Sequence, residues 1–296
     1  MVKCLVTGHR GYIGSRLFKK LKQLGHEVVG IDLKNGNDIN SLQGLQADRD
    51  GNFHPYWVNF EPEYIFHLAC IPRVGYSIEN PVQTMKNNVL ATSNVLNFAR
   101  KNNVKRVIYS SSSSIHGDGK GPKSPYALQK LTSEIECKLY SNLYGLDTVS
   151  LRYFNVYSFD QPADGAYATA VSNWMKYIKE DKVPFITGDG EQRRDMLHVD
   201  DAVSANIFAM QYSKSFDNQY YDVGTGENIS LNEVKKIVKE YFPNIDFMYT
   251  PRRLGDAKNT LANISLLKSL GWQVETNIKH GLNECFSSLR KELKNV

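Results

Sequence analysis

The chain has little sulfur chemistry to offer. Its four cysteines, Cys4, Cys70, Cys137 and Cys285, are scattered over 296 residues, and none forms a C-x-x-C pair. That spacing argues against a disulfide framework and gives no zinc-ligand pattern, so no metal is expected and a reducing, cytoplasmic setting fits. No apolar run approaches the ~20 residues of a membrane span. Met1 leads straight into the strand-like VKCLVTG, not into a basic, apolar, small-residue leader. No internal repeat is visible. The net charge of +5 is modest, and the lysines fall in amphipathic patterns such as LFKKLKQLG, EVKKIVKE and LRKELKNV. These patterns read as solvated helix faces. A nucleic-acid surface would need a basic stripe interleaved with stacking aromatics, which is missing. Neither a membrane nor a nucleic acid is expected as a partner.

What is present is enough apolar residue, 41%, to build a sizeable core. The length allows one large domain or two smaller ones. The first half alternates strand and helix patterns: KCLVTG, then apolar positions at Ile13, Leu17, Leu21 and Leu24 ending at Gly25, then EVVGID, EYIFHLAC, a helix from Pro81 to about Asn102, VKRVIYS, a helix opening at SPYALQK, and DTVSLRYFNV. This alternation predicts an α/β fold with a Rossmann-like, doubly wound parallel sheet. After Tyr157 the rhythm breaks, and ISLNEVKKIVKEYF opens on a Ser230/Glu233 capping box. The expected organisation is a dinucleotide-binding domain over 1–156, joined by about 196–224, and a smaller mixed α/β ligand domain over 157–296.

VTGHRGYIGS places Gly8, Gly11 and Gly14 between the first strand and the first helix. A tight turn there needs residues without a β-carbon, and the helix start offers amides and a positive dipole end to a pyrophosphate. The spacing is G-x-x-G-x-x-G, weak alone but informative between a strand and an amphipathic helix. Asp32 closes the second strand, 18 residues after Gly14. A carboxylate there accepts from a ribose 2′-hydroxyl and repels a 2′-phosphate, which favours NAD over NADP; Arg10 argues the other way. Asp38 and Ile39 are candidates to bracket the adenine, with a plain turn after Gly36 as the alternative.

The helix opening at SPYALQK has Ser124 as a good N-cap and Pro125 in its first turn, and its apolar positions Ala127, Leu131, Ile135 and Leu139 fall on one face. YALQK sets Tyr126 and Lys130 at i and i+4 on one helix face. A tyrosine loses its proton near pH 10, and a neighbouring ammonium together with a nicotinamide cation favours the phenolate. The pair then suits general-base work. A run of five serines, Ser110 to Ser114, sits at the carboxyl end of the preceding strand, where open α/β sheets bind ligands.

Taken with FHLAC, SIENP, LRYFNVY, GDGEQRRDMLHVDD, YDVGTGE, RLGDA and SLGW, these motifs resemble the extended short-chain dehydrogenase/reductase family, within it the NAD-dependent nucleotide-sugar epimerases and dehydratases of the UDP-glucose 4-epimerase kind. The resemblance spans nearly the whole chain. It implies that Ser112 joins Tyr126 and Lys130 as the catalytic set. It extends the NAD surface over Tyr12, Ile13, Leu68 and Ala69, and gives Asn88 the support of the active-site backbone. Asn155, Arg194 and Arg253 are implied at the diphosphate or nucleoside, Asp256 at the ribose or beside Arg253, and Arg73 near the sugar. Thr260 matches a pocket position that is small in relatives admitting N-acetylated sugars. A 4,6-dehydratase would carry carboxylates after the catalytic serine, where Ser113 and Ser114 stand, so a UDP-sugar 4-epimerase is the favoured expectation. A dehydratase or a 4-keto-sugar reductase is the alternative, and a silent NAD-binding sensor is an outside one. His116 stands where the family usually has tyrosine; it reads as a sugar contact, a proton carrier or a tolerated aromatic-like replacement. The resemblance also implies a homodimer through the helices around 81–102 and 124–144.

Overall fold

The computed structural model describes residues 1–33, 45–47, 53–55, 60–72, 74–163, 169–252 and 257–294, with backbone alone at 45–47 and 53–55. Asp38, Ile39, Arg73, Arg253 and Asp256 lie outside the described residues. The chain divides into two compact units. Met1–Ser112, Ser124–Leu151 and Val203–Tyr220 form the first; Ser113–Lys123, Arg152–Ala202 and Tyr221–Val296 form the second.

In chain order the elements begin β1 (Lys3–Thr7), α1 (Tyr12–Gln23), β2 (Glu27–Ile31), β3 (Leu45–Ala47), β4 (Phe53–Pro55), β5 (Tyr64–His67), α2 (Val74–Glu79) and α3 (Pro81–Met85). A π turn over Lys86–Leu90 leads into α4 (Ala91–Lys101), followed by β6 (Arg106–Ser112), α5 (Pro125–Tyr144) and β7 (Thr148–Tyr153). Then come α6 (Ala170–Lys179), β8 (Phe185–Thr187), β9 (Arg193–Arg194), α7 (Val199–Gln211), β10 (Tyr220–Val223) and β11 (Ile229–Ser230). The chain closes with α8 (Leu231–Tyr241), β12 (Met248–Thr250), β13 (Asn259–Thr260), α9 (Ser265–Ser269) and α10 (Ile278–Lys294).

Six strands make the main sheet in the order β10-β7-β6-β5-β1-β2. The β1–β2, β1–β5 and β5–β6 registers are parallel. β1 therefore has β2 on one side and β5 on the other, so the strand order reverses beside it and leaves a crevice at its carboxyl end. Leu5, Ile31, Ile65, Leu96 and Val107 fill the core of this unit. The helix expected over 81–102 is one continuous rod broken in register by the π turn. Apolar periodicity gives no sign of that turn.

On α5, Ser124 caps the start by accepting from the Ala127 N–H, with Pro125 in the first turn. Its buried face differs from the apolar face in the sequence. Tyr126, Gln129, Lys130, Ser133 and Glu134 point inward, while Leu128, Ile135, Leu139 and Leu143 are exposed. The inner face is polar because Tyr126, Lys130 and Glu134 meet the serine end of β6, while Gln129 meets Asn88 and Thr84.

In the second unit, Tyr157, Trp174, Ile186, Val234 and Phe286 form a separate core. It carries a β11-β9-β13 sheet and a β12-β8 pair. The Ser230/Glu233 capping box opens α8 as the sequence predicts.

Candidate active site

The turn between β1 and α1 is packed to the limit of backbone contact. The Gly8 N–H donates to the Ile31 carbonyl at 2.7 Å, and the Gly11 N–H to the Gly8 carbonyl at 2.9 Å. Gly8 has φ of +74°, and a β-carbon on it would lie 2.8 Å from the Ala69 nitrogen. One on Gly14 would lie 2.1 Å from the Gly8 oxygen. Gly11 is the N-cap of α1 and supplies no capping side chain, so the amides of Tyr12, Ile13 and Gly14 open the helix without one. Such a start suits an anion. The Arg10 N–H donates to Asp32 Oδ2 at 2.8 Å, so Asp32 also braces the turn.

Beneath α5 the serine run is used residue by residue. The Lys130 ammonium, nearly fully buried, donates to the Ser110 carbonyl at 2.7 Å. It lies 4.9 Å from the centre of the Tyr109 ring and 5.9 Å from that of Tyr126. Ser111 Oγ donates to the Glu134 carboxylate. Ser112 hydrogen-bonds the Tyr126 hydroxyl. The backbone of Tyr126 is fixed by its N–H, which donates to Ser77 Oγ at 3.0 Å. Within the chain, burial pushes the Tyr126 phenol above its ordinary value, outweighing the downward pull of Lys130 and Ser112. The sequence pattern shows the ammonium but not the depth of burial. Glu134 and Ser111 carry no sequence motif of their own; the i+4 spacing of Glu134 from Lys130 was the signal that could have found them.

Asn88 stands in the π turn, and its side chain closes on the loop after β5. Its Oδ1 accepts from the Ile71 N–H at 2.7 Å, and its Nδ2 donates to the Ile71 carbonyl at 3.3 Å and to Gln129 Oε1 at 2.8 Å. In the same loop the Ala69 N–H donates to Thr7 Oγ1 at 3.2 Å, and the Leu68 N–H to the Thr7 carbonyl at 3.2 Å. Gln129, adjacent to Lys130, was missed in the sequence because nothing distinguishes it from a surface helix residue.

The second unit gathers Asn155, Arg194 and Thr260 around the β9–β13 pair. Asn155 holds a positive φ of 28°, and its Nδ2 donates to the Asp195 carbonyl at 2.6 Å and to Thr260 Oγ1 at 3.2 Å. A non-glycine residue so placed is a strained position, and strain collects at functional sites. Thr260 is in register with Arg194. Arg193 is a structural arginine, with Asn228 and Glu233 as partners.

His116 finds a partner in the same unit. Its Nε2 lies 3.0 Å from Asp222 Oδ1, and its ring centre lies 5.8 Å from that of Phe154. Asp222 Oδ2 accepts from the Asn263 N–H at 3.0 Å. Two residues on, Asp118 accepts from the Lys258 N–H and from Lys123 Nζ. His116 thus anchors the short segment after the serines.

Among the described residues no cluster of three or more His, Cys, Asp or Glu could hold a metal, and no helix is long and apolar enough to cross a membrane. A glycine turn at an uncapped helix beside the reversal of strand order is the arrangement of a dinucleotide-binding fold, and α5 of the same unit carries a buried tyrosine–lysine pair. Residues 4–224 match the model of the NAD dependent epimerase/dehydratase family, and the chain belongs to that family. A UDP-glucose 4-epimerase of Mycolicibacterium smegmatis is 31% identical, with 98% of this chain and 99% of that protein covered. Two solved structures are similar over almost their full length. The UDP-glucose 4-epimerase of Thermotoga maritima with UDP-glucose has a TM-score of 0.87 at 28% identity, covering 98% of this chain and 99% of that one. The UDP-N-acetylglucosamine 4-epimerase of Methanobrevibacter ruminantium with UDP-N-acetylmuramic acid has a TM-score of 0.86 at 27% identity, covering 100% and 99%. NAD is the cofactor, and the glycine turn, the open start of α1 and Asp32 fit it.

Proposed function

We propose that the protein is a UDP-sugar 4-epimerase working through a 4-keto sugar. The observation that carries this reading is the Ser112–Tyr126–Lys130 constellation, followed by Ser113 and Ser114 where a dehydratase needs carboxylates. Bound NAD⁺ supplies a hydride acceptor and a positive charge that adds to Lys130 in favouring the Tyr126 phenolate. Tyr126 Oη takes the proton from the sugar C4 hydroxyl, and Ser112 Oγ hydrogen-bonds the same oxygen. Lys130 holds the nicotinamide ribose and opposes the upward push of burial on Tyr126. The sugar ketone turns over and is reduced on its other face, and Tyr126 returns the proton. No net oxidation follows, and no redox partner is consumed.

Asn155, Arg194 and Arg253 bind the nucleoside diphosphate, where an arginine fork matches phosphate oxygens. Asp256 and Arg73 complete the ligand set, and Thr260 sets the room around the sugar while holding Asn155. The exposed stripe Leu128, Ile135, Leu139 and Leu143 on α5, with Val82, Met85 and Leu90 nearby in sequence to α4, supports a homodimer. We place the enzyme in the cytoplasm, where its sugar-nucleotide substrates are made.

The test is incubation of purified protein with UDP-glucose, UDP-galactose, UDP-GlcNAc and UDP-GalNAc, without an added reductant or oxidant. Interconversion of one C4 pair is expected. Loss of water to a 4-keto-6-deoxy product, or stoichiometric use of NADH, would overturn the epimerase reading. Light scattering checks the dimer, and a monomer would count against it.

A further inference from the structure

We propose that His67 is a positioning residue: with its proton on Nε2, it joins the loop after β5 and the π turn carrying Asn88 into one directed hydrogen-bond chain, and so sets the wall of the NAD site. His67 ends β5 and is almost wholly buried. Its Nδ1 lies 2.7 Å from Thr7 Oγ1, and its Nε2 lies 3.0 Å from Thr92 Oγ1.

The direction of the chain follows from which atoms can only accept. Thr92 Oγ1 lies 2.7 Å from the Asn88 carbonyl, so its single proton is spent there. Its lone pair is then left for a donor, which is His67 Nε2–H. Nδ1 is therefore an acceptor and takes the Thr7 hydroxyl proton. Thr7 Oγ1 in turn accepts the Ala69 N–H at 3.2 Å. From the Ala69 amide to the Asn88 carbonyl, every proton has one place.

Both ends of this chain bear on the cofactor surface. The Ala69 backbone lies against Gly8 so closely that a β-carbon there has no room. Asn88 fixes Ile71 through both of its side-chain groups and reaches Gln129, next to Lys130 on α5. One imidazole thus registers the end of β1, the loop 68–71, the π turn and, through Asn88, the helix with the tyrosine–lysine pair. The groups facing the ring agree with a single fixed tautomer. Burial first, and then the charge of Lys130, push its pKa down to about 3, and the Tyr109 ring lies 5.7 Å away.

Two measurements test this on the intact protein. In two-bond ¹H–¹⁵N spectra of histidine-labelled protein, His67 is expected as the Nε2–H tautomer, unchanged from pH 5 to 8. Its signals are assigned by their loss in His67→Asn or their shift in Thr92→Val. An Nδ1–H or doubly protonated ring would overturn the proposal, and this arm needs neither NAD nor a sugar. In NAD titrations, His67→Asn and Thr92→Val are each expected to bind about ten-fold more weakly, with the double variant no worse than the weaker single one. Folded single variants within two-fold of the unmodified protein, or losses that multiply in the double variant, would overturn it. The outcome is separate from the sugar reading, because no substrate turnover is scored.

Discussion

Around the loop 68–71 of the first unit, the buried polar groups that hold backbone in place are neutral: Thr7, His67, Thr92, Asn88 and Gln129 pass hydrogen bonds from one to the next. In the second unit the same work is done by carboxylates, each collecting amides from distant loops. Asp195 accepts from the Thr225, Gly226 and Ala262 N–H groups, Asp201 from those of Glu275 and Thr276, and Asp222 from that of Asn263. A neutral chain adds no second charge beside the buried Lys130 ammonium. A carboxylate does more cross-linking per residue, which suits loops that lack regular structure, but it puts a buried charge at stake. Burial, opposed by these amides, raises the pKa of Asp195.

Removing the chemistry while keeping the wall is the largest expected separation between the two kinds of residue. Tyr126→Phe should lower kcat by on the order of 10³-fold and leave NAD affinity within about two-fold, as read from sugar interconversion and NAD titration. If NAD binding fell in parallel, the phenol would be part of the wall and the distinction would collapse.

Next in size is Asp195→Ala, which strands three backbone amides, while the Thr225 hydroxyl keeps the Glu227 carbonyl. A loss of about 3 kcal/mol is expected in urea unfolding, with Asp195→Asn recovering part of it. Equal stability of both variants and the unmodified protein would show that these amides find water instead.

Acid should reach the neutral network first. His67 titrates near 3 in the fold against an ordinary 6.5, so the unfolded chain binds a proton that the native one refuses over that interval. Stability from this group is complete above pH 6.5 and drains as pH falls toward 3. Asp118 and Glu233, held below their ordinary 3.8 and 4.5 by Lys123 and by the Ser230 amide, keep their contribution above those values and lose it only at lower pH. Urea midpoints at pH 7.5, 6 and 5 should therefore converge between the unmodified protein and His67→Asn. A constant gap would contradict the assignment.

The smallest effect belongs to His116→Phe. It keeps a ring against Phe154 and removes one contact of a half-exposed imidazole, so less than about 1 kcal/mol is expected in the same unfolding assay. A much larger loss would make the Asp222 pair a principal anchor of the segment after the serines.

How much of this the sequence made legible follows the same division. The glycine turn, Asp32, the capped start of α5 and the tyrosine–lysine spacing are local patterns, with strand, turn and helix signals within a few residues of one another. They point to the first unit and to NAD without any distant contact. Ser110 and Ser111 are different. Their partners, Lys130 and Glu134, lie 20 and 23 residues away, so a serine run shows nothing of which hydroxyl does what. The π turn left no trace because it shifts backbone hydrogen bonds without changing the apolar pattern. The apolar positions of α5 were visible, but not that several face outward, because periodicity marks a face and not what covers it. The His116–Asp222 pair spans 106 residues, so His116 stood out in the sequence without showing its partner.

The proposed epimerisation requires a hydride that leaves C4 and returns to the same carbon on the other face. That is read most directly by NMR of UDP-galactose deuterated at C4, or the N-acetylated equivalent, incubated with the protein and no added NAD. The expected product is the C4 epimer with the deuterium still at C4. Exchange of the label with solvent, its transfer to C6 of a dehydrated sugar, or no conversion of either pair would contradict the account.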